Sequence, residues 1–172
     1  WMIWSFVAVL MVLTSFQWYI RAKDKAIASR LITTLGGEQA YVFGVGAAHL
    51  LLQVIQGVLT VILYSLFFEA DWNQIGYVIW LTVVAFALGL LLAHCIPNTG
   101  SYYVAAFFIS CLFALLGESF FPISELYSPL EKAAFLSPIG TVQNEFLSWV
   151  SWSLFAIVIG IWVTRKSGER ID

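Results

Sequence analysis

Long apolar runs dominate this sequence and determine what it can fold into. Five of them reach or exceed the ~20 residues with which a helix crosses a bilayer. They cover residues 1–20, 40–68, 76–96, 102–121 and about 142–164. Because 61% of the 172 residues are hydrophobic and only 10% are charged, a water-soluble domain is excluded. The sequence therefore predicts an all-α, polytopic transmembrane helix bundle that forms one transmembrane domain over 1–172.

The basic residues predict how this bundle is oriented. Seven of the eight Lys and Arg residues lie in 21–30 and 165–170, directly after the first and the last apolar run. Lys and Arg beside spans mark the cytoplasmic side of a membrane. We therefore expect a multi-pass protein of the cell membrane, with 21–37 and the C-terminus in the cytoplasm. The loops that this places outside carry four acidic residues and a single basic residue, Lys132.

The first apolar run has the features of a span and not of a signal peptide. No basic residue precedes it, and it is followed by Arg21, Lys23 and Lys25 where a cleavage site would need small residues. With five spans and a cytoplasmic C-terminus, Trp1 lies outside. We therefore expect this sequence to be a piece of a longer protein with at least one further span upstream.

Residues 21–37 predict a short amphipathic helix at the cytoplasmic surface. Apolar residues recur there at helical spacing among Lys and Arg residues, and Gly36 and Gly37 end the pattern. Such a helix could lie on the membrane with its basic face on lipid headgroups, or it could dock a cytoplasmic partner. The candidate docking residues are Lys25, Ile27, Arg30, Leu31 and Leu35.

A polar stripe runs through the long apolar run 40–68. It consists of His49, Gln53, Gln56, Thr60 and Tyr64, which recur at intervals of four, three, four and four residues and so share one face of a helix. Because polar groups in hydrocarbon are costly, this face should contact other helices or a water-filled path. The stripe could therefore fix helix packing by hydrogen bonds, or it could line a translocation path. A metal site is disfavoured, since no second ligand stands at the required spacing from the histidine.

A break follows the fourth apolar run. The sequence Gly-Glu-Ser-Phe-Phe-Pro at 117–122 ends a helix, and Ser-Pro-Leu-Glu at 128–131 has the capping pattern of a new one, which Pro138 ends. A short helix between two spans predicts an extracellular hairpin, re-entrant or interfacial, for which Glu118, Pro122 and Pro138 are the candidate residues. The Glu118 carboxylate near the membrane interior could act in function, or it could bind the backbone of the broken helix.

The order of these features resembles the permease of an ABC-2 type exporter. The order comprises the basic amphipathic segment, a long span, an acidic outer loop, a span ending in Ala-Leu-Gly-Leu-Leu-Leu-Ala at 87–93, the motif at 117–122, and Ser-Pro at 137–138. The resemblance covers nearly the whole chain and corresponds to the last five of the family's six spans. It implies that 25–35 is the coupling helix and that 117–138 is the extracellular hairpin. In place of the family's usual Glu-Arg, the coupling segment here begins with Asp24 and Lys25.

The resemblance implies a transport subunit and not an enzyme. Within the membrane it implies contact with lipid and pairing with a second permease copy or a homologous permease. It also implies ABC nucleotide-binding subunits as partners. These subunits would drive export of an amphipathic or lipophilic substrate such as a peptide, drug or lipid. The chain has no GxxxxGK[ST] phosphate-binding motif. ATP and Mg²⁺ are therefore expected on the partner chain, and we expect no cofactor, metal, nucleic acid or catalytic residue on this one.

Two other functions stay open at this point. The chain could be a membrane anchor or sensor that recruits a cytoplasmic partner and transports nothing. It could also be an ion-driven secondary transporter, although that class favours more buried carboxylates and an inverted repeat. Stimulation of a partner's ATP turnover by substrate would distinguish export from anchoring.

Overall fold

The computed structural model describes residues 2–22, 37–66, 73–96, 98–118, 136–139 and 145–168. Helices account for 91% of these residues, and no strand occurs among them. The helices are α1 (Met2–Thr14), α2 (Gln17–Ala22), α3 (Gly37–Ser65), α4 (Asn73–Cys95), α5 (Thr99–Leu116) and α6 (Glu145–Gly168). The predicted all-α fold is therefore confirmed for the part of the chain that the structure describes.

Three of these helices are long and apolar enough to cross a membrane. The qualifying stretches are Phe43–Ser65, Gln74–Cys95 and Thr99–Leu116, with 23, 22 and 18 residues. Ser5–Ile20 and Ser148–Val163 are apolar helical stretches of shorter length. The three long stretches are consistent with a membrane protein. Spans at 1–20 and 142–164, and the side of the membrane that each helix end faces, stay predictions.

Helix α4 occupies the centre of the bundle. Helices α1, α3 and α6 pack against it most extensively, and α2 and α5 also contact it. A helix surrounded in this way can bury apolar side chains all round, which explains its uniformly apolar sequence. Its buried residues are Val78, Leu81, Thr82, Val84, Ala85, Phe86, Ala87, Leu88, Gly89 and Ala93.

Helices α3 and α5 expose much of their apolar surface. In α3 the exposed residues include Phe43, Leu51, Leu52, Ile55, Leu59, Ile62 and Leu63, and in α5 they include Val104, Phe107, Phe108, Leu112 and Leu115. Soluble monomers rarely expose apolar patches of this extent. In a bilayer such surfaces meet lipid or another membrane helix, so the pattern of exposure agrees with the composition.

One end of the bundle is marked by contacts around His94, and we call it the His94 end. The Tyr19 hydroxyl and His94 Nδ1 are 3.2 Å apart, and the rings of His94 and Trp162 meet edge to face at 4.8 Å between centroids. These contacts bring together the ends of α2, α4 and α6.

The opposite end is marked by aromatic contacts around Tyr77, and we call it the Tyr77 end. Trp80 and Trp149 stack with their ring centroids 4.5 Å apart, and Trp80 Nε1 donates a hydrogen bond of 3.0 Å to Ser153 Oγ. Here the beginnings of α4 and α6 meet, so these two helices are parallel. One described helix, α5, lies between α4 and α6 in the chain, so helices that alternate in direction return α6 to the direction of α4.

The first predicted span is not one helix, because α1 and α2 are separated by a turn at residues 15–16. Thr14 Oγ1 donates to the carbonyl of Leu10 at 2.8 Å, and Ser15 Oγ donates to the carbonyl of Val12 at 2.8 Å. Hydroxyl groups that bind carbonyls of the preceding turn compete with the helix backbone and bend helices. Neither Pro nor Gly marks this break in the sequence.

A tertiary contact fixes the break in place. The Phe16 side chain is completely buried, and its ring lies against Phe86 with 4.8 Å between centroids. It also lies directly on Gly89 of α4, where an added Cβ would be 2.3 Å from a ring carbon. Only a glycine leaves room for the ring at that position, so α4 holds the turn between α1 and α2.

At the Tyr77 end, residues 136–139 dock onto the bundle. Ser137, Pro138 and Ile139 are buried. Ser137 Oγ donates to the carbonyl of Phe113 at 2.7 Å, and the Tyr77 hydroxyl donates to the carbonyl of Ile139 at 3.2 Å. This short segment is the described part of the predicted hairpin beyond Glu118.

The remaining hairpin and the coupling helix cannot be compared with the structure. Pro122 falls in 119–135, and Lys25, Ile27, Arg30, Leu31 and Leu35 fall in 23–36, both of which lie outside the described residues. The predicted break after the fourth run is where α5 ends, with Gly117 as its C-cap. Glu118 follows in the left-handed region, with φ of 55°, and is half-buried.

Candidate functional site

Four of the five residues of the polar stripe line one cleft in the bundle. The cleft has a volume of about 380 Å³ and lies between α1 and α3, with Thr82 of α4 at its base. Its lining consists of Val7, Ala8, Met11, Val12 and Ser15 from α1 and the turn after it, His49, Leu52, Gln53, Gln56, Gly57 and Thr60 from α3, and Thr82. Tyr64 is not part of this lining. The spacing in the sequence therefore identified one wall of the cleft.

The cleft exists because α1 and α3 both pack on α4 while making few contacts with each other. Gly57 lets α3 lie close to α4, since a Cβ there would be 2.7 Å from Val78 Cγ1. On the other side the gap between α1 and α3 opens at the bundle surface. Met11 and Leu52 at this opening are 55% and 62% exposed. The cleft is therefore lined mainly by apolar residues, with the polar side chains of Ser15, Gln53 and Thr82 below its exposed opening.

A hydrogen-bonded pair joins the two walls. Gln53 Nε2 donates to Ser15 Oγ, and Ser15 Oγ in turn donates to the carbonyl of Val12. A serine hydroxyl has one hydrogen, so Ser15 can only accept from the amide, and this fixes which way the Gln53 amide points. Gln53 Oε1 is buried and has no hydrogen-bond partner in the described part of the chain. An unsatisfied buried acceptor costs about 1–3 kcal/mol.

One helical turn away, His49 stacks on Trp18. The two rings are nearly parallel, at 5°, with 5.4 Å between centroids. Trp18 also lies on Gly46, whose added Cβ would be 3.3 Å from the indole ring. Trp18 Nε1 is buried and has no hydrogen-bond partner within the described ranges. Trp18 does not line the cleft, so Gln53 Oε1 is the unmatched buried atom that belongs to a lining residue.

The remaining polar residues of the cleft make weaker or local bonds. Gln56 Nε2 approaches Met11 Sδ at 3.8 Å, and thioether sulfur is a weak acceptor. Thr60 Oγ1 donates to the carbonyl of Gln56 at 2.8 Å, within its own helix. Thr82 Oγ1 does the same with Val78 at 2.8 Å. Both threonine oxygens keep lone pairs with which they can accept a hydrogen bond from a bound molecule.

No charged residue lines the cleft. Its polar groups are amides, hydroxyls and one imidazole, and Asp, Glu, Lys and Arg are missing from its described lining. No group of three or more His, Cys, Asp or Glu residues suited to a metal occurs in the ranges that the structure describes. From His49 to Thr60 the helix rises about 16 Å, roughly half of the ~30 Å hydrocarbon core. The arrangement can hold an uncharged, hydrogen-bonding group at membrane depth.

The second wall of the cleft was not identified from the sequence. Ser15, Met11 and Thr82 stand in apolar runs where they resemble ordinary residues of a span. The adjacent Thr14 and Ser15 were the one available signal, because paired hydroxyl residues in an apolar run often bind backbone carbonyls. Glu118 and Pro138, the described residues of the predicted hairpin, do not line the cleft.

Comparison with known proteins gives no match: no family model, curated protein or solved structure matches this chain. The resemblance to ABC-2 permeases therefore depends on the order of features in the sequence.

Proposed function

We propose that this chain is the transmembrane permease portion of an ABC-2 type exporter and that the cleft between α1 and α3 is part of its translocation path. The observation that carries the proposal is that four uncharged polar residues of one membrane-length helix line a single open cleft. If the stripe served only to fix packing, its members would bond to neighbouring helices. Of the four residues that line the cleft, only Gln53 makes a strong hydrogen bond to another segment within the described part of the chain, while Thr60 bonds within its own helix.

In this proposal ATP is bound and hydrolysed elsewhere. Residues 25–35 dock an ABC nucleotide-binding subunit, with Lys25 and Arg30 on the polar face and Ile27, Leu31 and Leu35 on the apolar face. ATP and Mg²⁺ belong to that subunit. A second permease copy or a homologous permease completes the transporter within the membrane, and the exposed apolar faces of α3 and α5 are available for such contacts or for lipid.

Co-purification tests the partner assignment. The full-length protein is solubilised gently from its native membrane, and the accompanying proteins are identified and assayed for ATP hydrolysis. We expect an ATP-hydrolysing subunit with the unaltered protein and none with Lys25→Glu/Arg30→Glu. The matched control is Arg165→Glu/Lys166→Glu, which reverses the same charge elsewhere on the predicted cytoplasmic side. If no ATPase is recovered while other membrane complexes stay intact, the anchor or the ion-driven transporter takes the place of the exporter.

A second experiment tests the cleft. In the purified complex, substrate-stimulated ATP turnover is measured for Gln53→Leu and Gln56→Leu. Each substitution removes a hydrogen-bonding group from the wall of the cleft. We therefore expect half-maximal stimulation to require about tenfold more substrate, which is the loss of affinity that one missing hydrogen bond causes. Gln74→Leu is the control, because Gln74 is half-buried like Gln53 but lies at the start of α4, outside the cleft. Unchanged stimulation in both cleft variants would remove the cleft from the path.

A further inference from the structure

The cleft combines two features that together select a class of ligand. Its described lining is uncharged and includes an unmatched acceptor, Gln53 Oε1. Its exposed opening at the bundle surface is mostly apolar, at Val7, Met11 and Leu52, with Gln56 beside Met11. These residues belong to stretches whose surroundings in a membrane are acyl chains. A molecule in the cleft would therefore have its polar part inside and its apolar part at the opening.

We infer that the cleft takes a neutral amphiphile with a hydroxyl or carboxamide head, which enters from the bilayer between α1 and α3. This inference rests on the proposed role of the cleft as part of the transport path. It adds the chemical class of the substrate and the direction from which the substrate arrives.

The hydrogen-bonding inventory excludes charged heads. A hydroxyl or carboxamide carries an O–H or N–H that can donate to Gln53 Oε1, and it carries no charge. A carboxylate only accepts, so it leaves Gln53 Oε1 unmatched, while a primary ammonium can donate to this oxygen but carries a charge. Neither ion finds a counter-charge in the described lining, and an uncompensated charge at membrane depth is costly.

Access to the head-binding region requires a small separation of two helices. Gln53 Oε1 is covered in the present arrangement. Helices α1 and α3 have few contacts beyond the pair formed by Ser15 and Gln53, so that hydrogen bond is the main polar link across the gap. A ligand head that replaces this link can separate the walls without exposing an apolar contact surface to water. The cleft volume of about 380 Å³ lies in the ~300–1,000 Å³ range of small-molecule sites.

Photo-crosslinking with four matched probes tests the inference. The full-length protein is placed in phosphatidylcholine nanodiscs without ATP. Each probe carries the same alkyl chain and photoreactive group, and its head is a hydroxyl, a carboxamide, a carboxylate or a primary ammonium. We expect the two neutral probes to label residues 7–15 and 49–60. Non-photoreactive versions of the two ions should compete with this labelling at least about tenfold more weakly than neutral versions do. Equal competition by an ionic probe, or labelling confined to other surfaces, overturns the inference.

Variants locate the contact. Gln53→Leu should weaken carboxamide labelling about tenfold, while Gln74→Leu removes an equally unmatched buried oxygen outside the cleft and should leave labelling unchanged. Equal effects of the two substitutions would contradict the assignment of Gln53. If Gln53→Leu does not fold, the ranking of the four heads on the unaltered protein still decides the question.

The outcome is independent of the export test. If an ATPase co-purifies but the neutral probes are not preferred over the ions, the proposed ligand class is wrong and the exporter proposal stands. A clear neutral preference without any ATPase would support the ligand class and overturn the exporter proposal.

Discussion

The contact between Phe16 and Gly89 leads to a quantitative prediction about how the bundle is held together. In Gly89→Ala, the new Cβ would lie 2.3 Å, 2.5 Å and 3.0 Å from three carbons of the Phe16 ring. The ring is completely buried and already packs on Phe86, so it cannot swing into solvent. The turn between α1 and α2 must therefore shift away from α4. Overpacking of this kind costs about 1–3 kcal/mol.

Glycine-to-alanine changes also alter helix propensity, and a matched control removes that contribution. Gly160 in α6 has no atom within 4 Å of an added Cβ. Gly160→Ala should therefore gain up to ~1 kcal/mol from the better helix propensity of alanine. The same gain is included in Gly89→Ala, so the difference between the two variants measures the clash. We expect Gly89→Ala to be about 1–3 kcal/mol less stable than Gly160→Ala.

Unfolding in mixed micelles with increasing SDS, followed by circular dichroism, provides the measurement. A double-mutant cycle with Phe16→Ala sharpens it, because removing the ring removes the clash. Phe16→Ala alone should cost about 3–5 kcal/mol. In that background Gly89→Ala should cost no more than Gly160→Ala does. The reasoning is refuted if Gly89→Ala and Gly160→Ala have the same stability, or if Gly89→Ala carries its full cost without the ring.

Two further predictions concern helix packing and orientation. Ser153→Ala removes the acceptor of the Trp80 indole N–H and should lower the free energy of unfolding by about 1 kcal/mol. Ser151→Ala, at an exposed position of the same helix, is the control and should change it little. Equal effects of the two substitutions would mean that the hydrogen bond does not contribute to stability. Cys95 is exposed at the predicted cytoplasmic end of α4. A membrane-impermeant maleimide should therefore label Cys95 in inside-out vesicles only. Cys95→Ser should abolish this labelling, because Cys111 lies within α5. Labelling of Cys95 in right-side-out vesicles would reverse the predicted orientation.

The polar stripe shows how far the sequence could predict the candidate site. The intervals between His49, Gln53, Gln56 and Thr60 place these residues on one face because the period of a helix is a local property. What that face contacts is not local. Ser15 is 38 residues from its partner Gln53. Since nothing in an apolar run indicates which helix will be its neighbour, the second wall of the cleft could not be found from the pattern.

By itself, the sequence determined that the chain forms apolar helices of membrane length, one of which carries a polar face. This followed because hydropathy and helical periodicity depend on residues close together in the chain. Only the tertiary structure decided that the first apolar run breaks at 15–16, that α4 is central, and that a cleft opens between α1 and α3. Each of these depends on contacts between distant segments, such as the Phe16 ring on Gly89, where shape and available space select the partner.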